Sequence, residues 1–348
     1  MRCKYSIRHA VAAALCAACL FASPASAGEP ALSLPTLTGS IDSLDVYVDG
    51  KTIHLLLGEN AVGENAKGAN AASDASPSGT SAKGAESKAS VFRHTMSTDG
   101  GRTWRAPVQV NEPGATAPVP HHRGSDAKII ARGLQLFAVW TVAGTGFKGT
   151  GPMGTAVSTD GGVTWQPGPN PADHDSSGSH RFFALADDGK AFHLVWLDDR
   201  EKQRGLRHAS SIDGGKTWSK NTTIDEFVCA CCWNTLRVVK QGERTRLWVL
   251  YRDIEPSDMG VAVSDDGGKT WLRQRHAGDF EWVFKGCPHV GGGVVALPAE
   301  AGKAAPMLAA IWTGKLDSIG CHLVRGDWQG KDASHLGADD APRRRHGS

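Results

Sequence analysis

Short β-rich runs, apolar at most positions, recur along this chain between clusters of Gly, Asp, Ser and Asn. The clearest are Thr52–Leu57, Leu134–Trp140, Ala191–Trp196, Arg246–Tyr251 and Met307–Trp312. Apolar runs of this length, bounded by turn formers, predict strands rather than helices. A first strand precedes each across a polar hairpin, as Phe182–Ala186 precedes Asp187-Asp188-Gly189-Lys190. A third strand follows, and a Trp opens a fourth. The pattern repeats about every 53 residues once one insertion is set aside. Five such units are visible, the fifth with Gly320–Val324 as its third strand and Trp328 at the start of its fourth.

Between third and fourth strands lies one turn, S-x-D-x-G-x-T-W, at Ser97–Trp104, Ser158–Trp165, Ser211–Trp218 and Ser264–Trp271. Its Asp accepts hydrogen bonds from the backbone, its glycines supply the left-handed conformations, and its Trp starts the next strand with a large apolar face. The fourth copy offers two registers, Asp265 or Asp266. These motifs resemble the Asp-box, or BNR, repeat of the sialidase-like β-propellers, over roughly residues 43–330. The resemblance implies an all-β propeller of four-stranded antiparallel blades, with the box as a structural turn remote from the active site. Five units favour five blades, and the six-bladed closure usual for that family is the alternative.

In such a meander the boxes occupy one end of the strands, and the links between units occupy the other with the second-to-third loops. That second end gathers His121-His122-Arg123 with Asp126, Ser179-His180-Arg181, Cys229-Ala230-Cys231-Cys232-Trp233 and Cys287-Pro288-His289 from the links. The loops add Asp198-Asp199-Arg200, Arg252 to Asp258, and Asp317 to His322. Residues 61–90, rich in Ala, Gly, Ser and Asn, form a low-complexity insertion in one of these loops, and 331–348 read as a disordered tail.

Composition changes the picture at the N-terminus. Arg2, Lys4 and Arg8 precede an apolar run and Ala25-Ser26-Ala27, the pattern of a signal peptide over 1–27. The expected mature protein, beginning at residue 28, is therefore exported, periplasmic or secreted, with no integral membrane segment. Its charge is close to neutral, which argues against a nucleic-acid partner. Its cysteines fall to five, Cys229, Cys231, Cys232, Cys287 and Cys321, an odd number that cannot all pair within one chain.

Three readings follow from the cysteines. Disulfides from the triplet to Cys287 would pin the links of a structural or interaction scaffold. An exposed pair would cycle between dithiol and disulfide. Thiolates with imidazole would hold copper, zinc or another soft metal, with Cys229, Cys231, Cys232, Cys287 and His289 as ligands and Cys321 or His322 peripheral. The last makes the protein a metal-binding propeller, and it is the leading expectation. The resemblance implies an alternative, an exo-acting glycosidase in which Arg181, Arg200 and Arg252 grip an anionic sugar and Asp198, Asp199 or Asp253 transfers protons. The chain departs from sialidases in lacking an Arg-Ile-Pro motif and in having only Tyr47 and Tyr251 beyond the leader.

Overall fold

The computed structural model describes residues 40–60, 90–112, 126–146, 149–174, 178–199, 204–241, 244–274, 276–298 and 305–326. The leader, residues 61–89 of the insertion, the C-terminal tail and Trp328 lie outside them, as do His121, His122, Arg123 and Arg200, whereas Ser90, read as the insertion's last residue, begins a strand.

Five antiparallel sheets appear in chain order. The first holds β1 (Ser40–Asp49), β2 (Thr52–Asn60), β3 (Ser90–Ser97) and β4 (Val108–Gln109). The second holds β5 (Lys128–Arg132), β6 (Gln135–Ala143), β7 (Thr150–Ser158) and β8 (Gln166–Pro167). The third holds β9 (His180–Asp187), β10 (Phe192–Asp198), β11 (Gly205–Ser211) and β12 (Thr222–Asp225). The fourth holds β13 (Thr235–Gln241), β14 (Arg244–Arg252), β15 (Met259–Ser264) and β16 (Leu272–Arg273). The fifth has three strands among the described residues, β17 (Gly293–Ala296), β18 (Met307–Thr313) and β19 (Gly320–Gly326).

Each sheet runs in simple sequence order, and its first strand packs against the first strand of the next sheet. The core therefore lies in layers between successive blades. Leu56 and Phe92 meet Trp140 between the first and second, and Phe137 meets Trp196 between the second and third. Phe182 meets Tyr251 between the third and fourth, and Trp248 meets Met307 between the fourth and fifth. The box tryptophans Trp165, Trp218 and Trp271 pack on these same layers.

Each box closes in the same way. In the first, Ser97 donates to the Asp99 carboxylate at 2.7 Å and accepts from Gly101 N at 2.8 Å. Thr103 donates to Asp99 through its amide and its hydroxyl, at 2.9 and 2.6 Å. In the second copy the same donors, Thr164 first, hold the Asp160 carboxyl down at about 2. The fourth copy uses Asp266, while Asp265 pairs with Arg246 at 2.6 Å.

A buried histidine pair backs two of these turns. His54 on β2 and His94 on β3 stack with ring centroids 5.3 Å apart and a 3.0 Å Nδ1–Nε2 contact. His193 on β10 and His208 on β11 repeat this at 5.3 and 3.1 Å. His94 presses on Gly162 and Trp165 of the following blade's box, and His208 on Gly268 and Trp271. Gly268 has φ +86° and a Cβ there would stand 2.0 Å from the His208 ring, whereas Gly267, at φ +74°, has open space around it. Gly268→Ala therefore adds a clash to the left-handed strain and is expected to cost on the order of 3 kcal/mol, against about 1 for Gly267→Ala. Urea midpoints of the two variants measure the difference, and equal shifts would contradict this packing.

Candidate metal centre at the mouth of the propeller

The end of the strands opposite the boxes is the mouth. Two links between blades are drawn together there. The first runs from β12 to β13 and carries Cys229-Ala230-Cys231-Cys232-Trp233. Cys229 N donates to Arg252 O at 3.0 Å, Ala230 O accepts from Arg181 Nε at 3.1 Å, and Asn234 donates to Phe182 O at 2.9 Å. The second runs from β16 to β17 and carries Cys287-Pro288-His289. Its Val290 carbonyl accepts from Arg252, and its Gly292 carbonyl accepts from Thr235 Oγ1 at 2.6 Å. Gly291 lies so close to Trp233 that a Cβ would meet its carbonyl at 2.4 Å. Trp233 thus serves as packing between the links.

The result is a thiol cluster. Sγ of Cys229, Cys231 and Cys232 form a triangle with sides of 3.4, 3.6 and 3.9 Å, and all three residues are buried. None of the five described cysteines is in a disulfide, so no such bond pins the links among the described residues. Cys231 also belongs to a second group with Cys287 and His289, whose ligand atoms lie within 4.8 Å of one another. Cys287 is exposed and His289 half-buried, its backbone in the left-handed region at φ 52°. Cys321 is exposed and joins neither group, and His322 contacts Ser318 O at 2.7 Å and packs on Phe280.

Hydrogen bonding within the triangle splits the thiols. Bonds from Cys231 and Cys232 hold Cys229 well below the ordinary thiol range, and bonds to Cys229 and Cys231 push Cys232 up. Two buried guanidiniums flank the cluster: the charge of Arg252 is felt by Cys232 and Cys229, and that of Arg181 by Cys231 and Cys287. Burial lowers both arginines; against it act Asp199 and then Cys231 and Cys287 on Arg181, and Cys232 and Cys229 on Arg252.

These two arginines are among the sequence's candidates for gripping a substrate carboxylate. Arg181 instead gives Nε to Ala230 O, Nη1 to Thr150 and Ser179, and Nη2 to Asp199 at 3.3 Å. Arg252 spends its donors on the carbonyls of Ser257, Val290 and Trp312 and lies 5.5 Å from the centre of the Trp282 ring. Asp198 is buried against Arg207 at 3.1 Å, and Asp253 accepts from Arg273 and contacts His276, each at 3.0 Å. Tyr251 is 1% exposed and donates to Asp225 at 2.8 Å, so its hydroxyl faces the core rather than the mouth. Sequence reasoning missed that Arg181 and Arg252 border the sulfurs. Arg181 lies at the start of β9 and Arg252 ends β14, each beside a cysteine link, a proximity across blades that no spacing along one blade reveals.

Comparison with known proteins bears on the fold. The BNR/Asp-box repeat pattern matches residues 156–167. Among solved structures, the NanB sialidase of Streptococcus pneumoniae is similar with a TM-score of 0.50 and 10% identity, over 85% of this chain and 60% of its own. The α-L-arabinofuranosidase Arb93A of Fusarium graminearum is similar with a TM-score of 0.48 and 13% identity, over 82% of this chain and 77% of its own. The Bombyx mori GH32 β-fructofuranosidase BmSUC1 gives 0.39 and 13%, over 82% and 60%. The chain thus spans about three fifths of the length of the NanB and BmSUC1 chains. No curated protein sequence matches it. The Asp-box match, the likeness to NanB and the five meander sheets together define an all-β Asp-box propeller. Its fold is sialidase-like, and its cysteine and histidine groups are placed to hold a metal ion.

Proposed function

We propose that this protein is exported and binds a soft metal ion, copper(I), at its cysteine link. The sulfur triangle carries the reading. The point equidistant from its three corners lies about 2.1 Å from each sulfur, close to the roughly 2.3 Å of a metal–thiolate bond. Zinc in a structural site completes four ligands, which this triangle alone lacks. Copper(I) is selected by thiolates and is satisfied by three. A monovalent ion on three thiolates leaves a buried negative charge, and Arg181 and Arg252 stand where they offset it. Export rests on the Met1–Ala27 pattern, which leads the chain to the compartment where such an ion would be met.

Elemental analysis of the mature protein, purified from its export compartment without chelator or reductant, tests the reading beside a Cys231→Ser/Cys232→Ser variant. Copper near or above one equivalent, lost in the variant, is the expected result. No bound metal after reduction and anaerobic reloading with copper(I) would overturn it. Turnover of anionic glycosides that survives in the cysteine variant would point to carbohydrate chemistry instead.

A further inference from the structure

The two ligand groups share a single atom, the sulfur of Cys231. Two donors on one ion, each about 2.3 Å from it, can be no more than about 4.6 Å apart. The five donors Cys229, Cys231, Cys232, Cys287 and His289 do not all lie within 4.8 Å of one another; they fall into two triads that overlap at Cys231. One ion cannot take all five in this arrangement. The sulfur triangle is compact enough to take its own ion, and the second triad, within 4.8 Å, closes on one with a small side-chain adjustment.

The triads also differ in access. Cys229, Cys231 and Cys232 are 7%, 4% and 1% exposed, whereas Cys287 is exposed and His289 half-buried. An ion in the first would be sealed from solvent, and an ion in the second would face it. Charge favours a pair over a single ion: two monovalent ions with Arg181 and Arg252 offset four thiolates, the Asp199 carboxylate beside Arg181 having Arg204 at 4.0 Å as a second partner, and a neutral imidazole is the fifth donor.

We propose that the mouth holds two copper(I) ions bridged by the Cys231 thiolate, an outer one that exchanges with solution and an inner one that is retained. This rests on the soft-metal reading and gives it a direction. Copper(I) enters at Cys287 and His289. It passes inward by gaining Cys229 and Cys232 in turn while still bound to Cys231, releasing His289 and then Cys287, and each thiol gives its proton to solvent as it binds. No electron changes hands, and Cys231 remains bonded throughout.

The test is anaerobic titration of the full mature protein with copper(I) supplied as its acetonitrile complex, followed by challenge with a copper(I) chelator. Wild type is expected to bind two equivalents, with a copper–copper contact in X-ray absorption, and to yield one quickly and one slowly. Cys287→Ser/His289→Ala, which alters partly exposed side chains and is checked for native near-ultraviolet circular dichroism, should bind one equivalent that loads more slowly. A wild-type stoichiometry of one would overturn the bridged pair and leave the metal reading standing. Two equivalents persisting in the variant would place the second ion elsewhere and overturn the pair as well. No binding in either protein would overturn both.

Discussion

Arg252→Leu is expected to destabilise the metal-free protein by about 4 kcal/mol, read as a lower urea midpoint. The side chain is 2% exposed and donates to Ser257 O at 2.7 Å, Val290 O at 3.1 Å and Trp312 O at 3.0 Å. Leucine fills part of the volume but leaves three carbonyls without these donors, each lost at about 1–3 kcal/mol when buried. Two of the three acceptors belong to the fifth blade or the link leading to it, so the loss falls on one interface. Arg252→Lys keeps the charge but not the planar fork, and it should recover only part of the stability. A shift below about 1 kcal/mol for the leucine variant would contradict the role of Arg252 as the fastener between the fourth and fifth blades.

Acid should weaken the fold in a window set by histidine. Burial, followed by the partner imidazole, lowers His94 to about 4 and His208 to about 3 from an ordinary value of 6.5. Because the unfolded chain takes up these protons more readily, their stabilisation is complete above about pH 6.5. It falls as pH drops towards the folded values. For His94 alone the gap corresponds to on the order of 3 kcal/mol. His276 works in the opposite sense. Burial lowers it, but its contact with Asp253 outweighs this and raises it, so its contribution is present below pH 6.5 and fades above. The box carboxylates, held low by their hydrogen bonds, add their loss only below about pH 4. Unfolding free energies of metal-free protein between pH 7.5 and 4.5 should therefore fall steeply, and His94→Gln/His208→Gln should flatten the slope. An unchanged slope would rule out the stacked pairs as its source.

The strands and boxes were legible because their signals are local. The Ser, Asp, Gly, Thr and Trp of a box bond one another within eight residues, so spacing alone defines the turn. The shared periodicity then places Cys229–Cys232 and Cys287 on successive links. The histidine pairs were not legible: His54 and His94 lie on either side of the low-complexity insertion, and no local motif marks His193 on β10 or His208 on β11. What makes them distinctive is contact with a glycine of the next blade. Asp225 beside Tyr251 is a similar case, a buried carboxylate contributed by a four-residue strand of the preceding blade. Cys321 lay at the same end of the strands as the other cysteines, yet its place on β19 opposite Trp312 leaves it exposed and apart. Knowing which end of a blade carries a residue does not fix the direction of its side chain.

Cys231 precedes the fourth blade and Cys287 follows it, so the stretch between them contains β13 to β16 entire. An ion gripped by both would close a ring of roughly 55 residues. By the chain-entropy relation for disulfides, a bond across such a ring restricts the unfolded chain by about 4 kcal/mol. The clasp would be reversible, opening when the ion leaves rather than when a bond is reduced. The lifetime of the folded molecule, and its resistance to proteases that attack opened chains, would then follow the supply of metal around it.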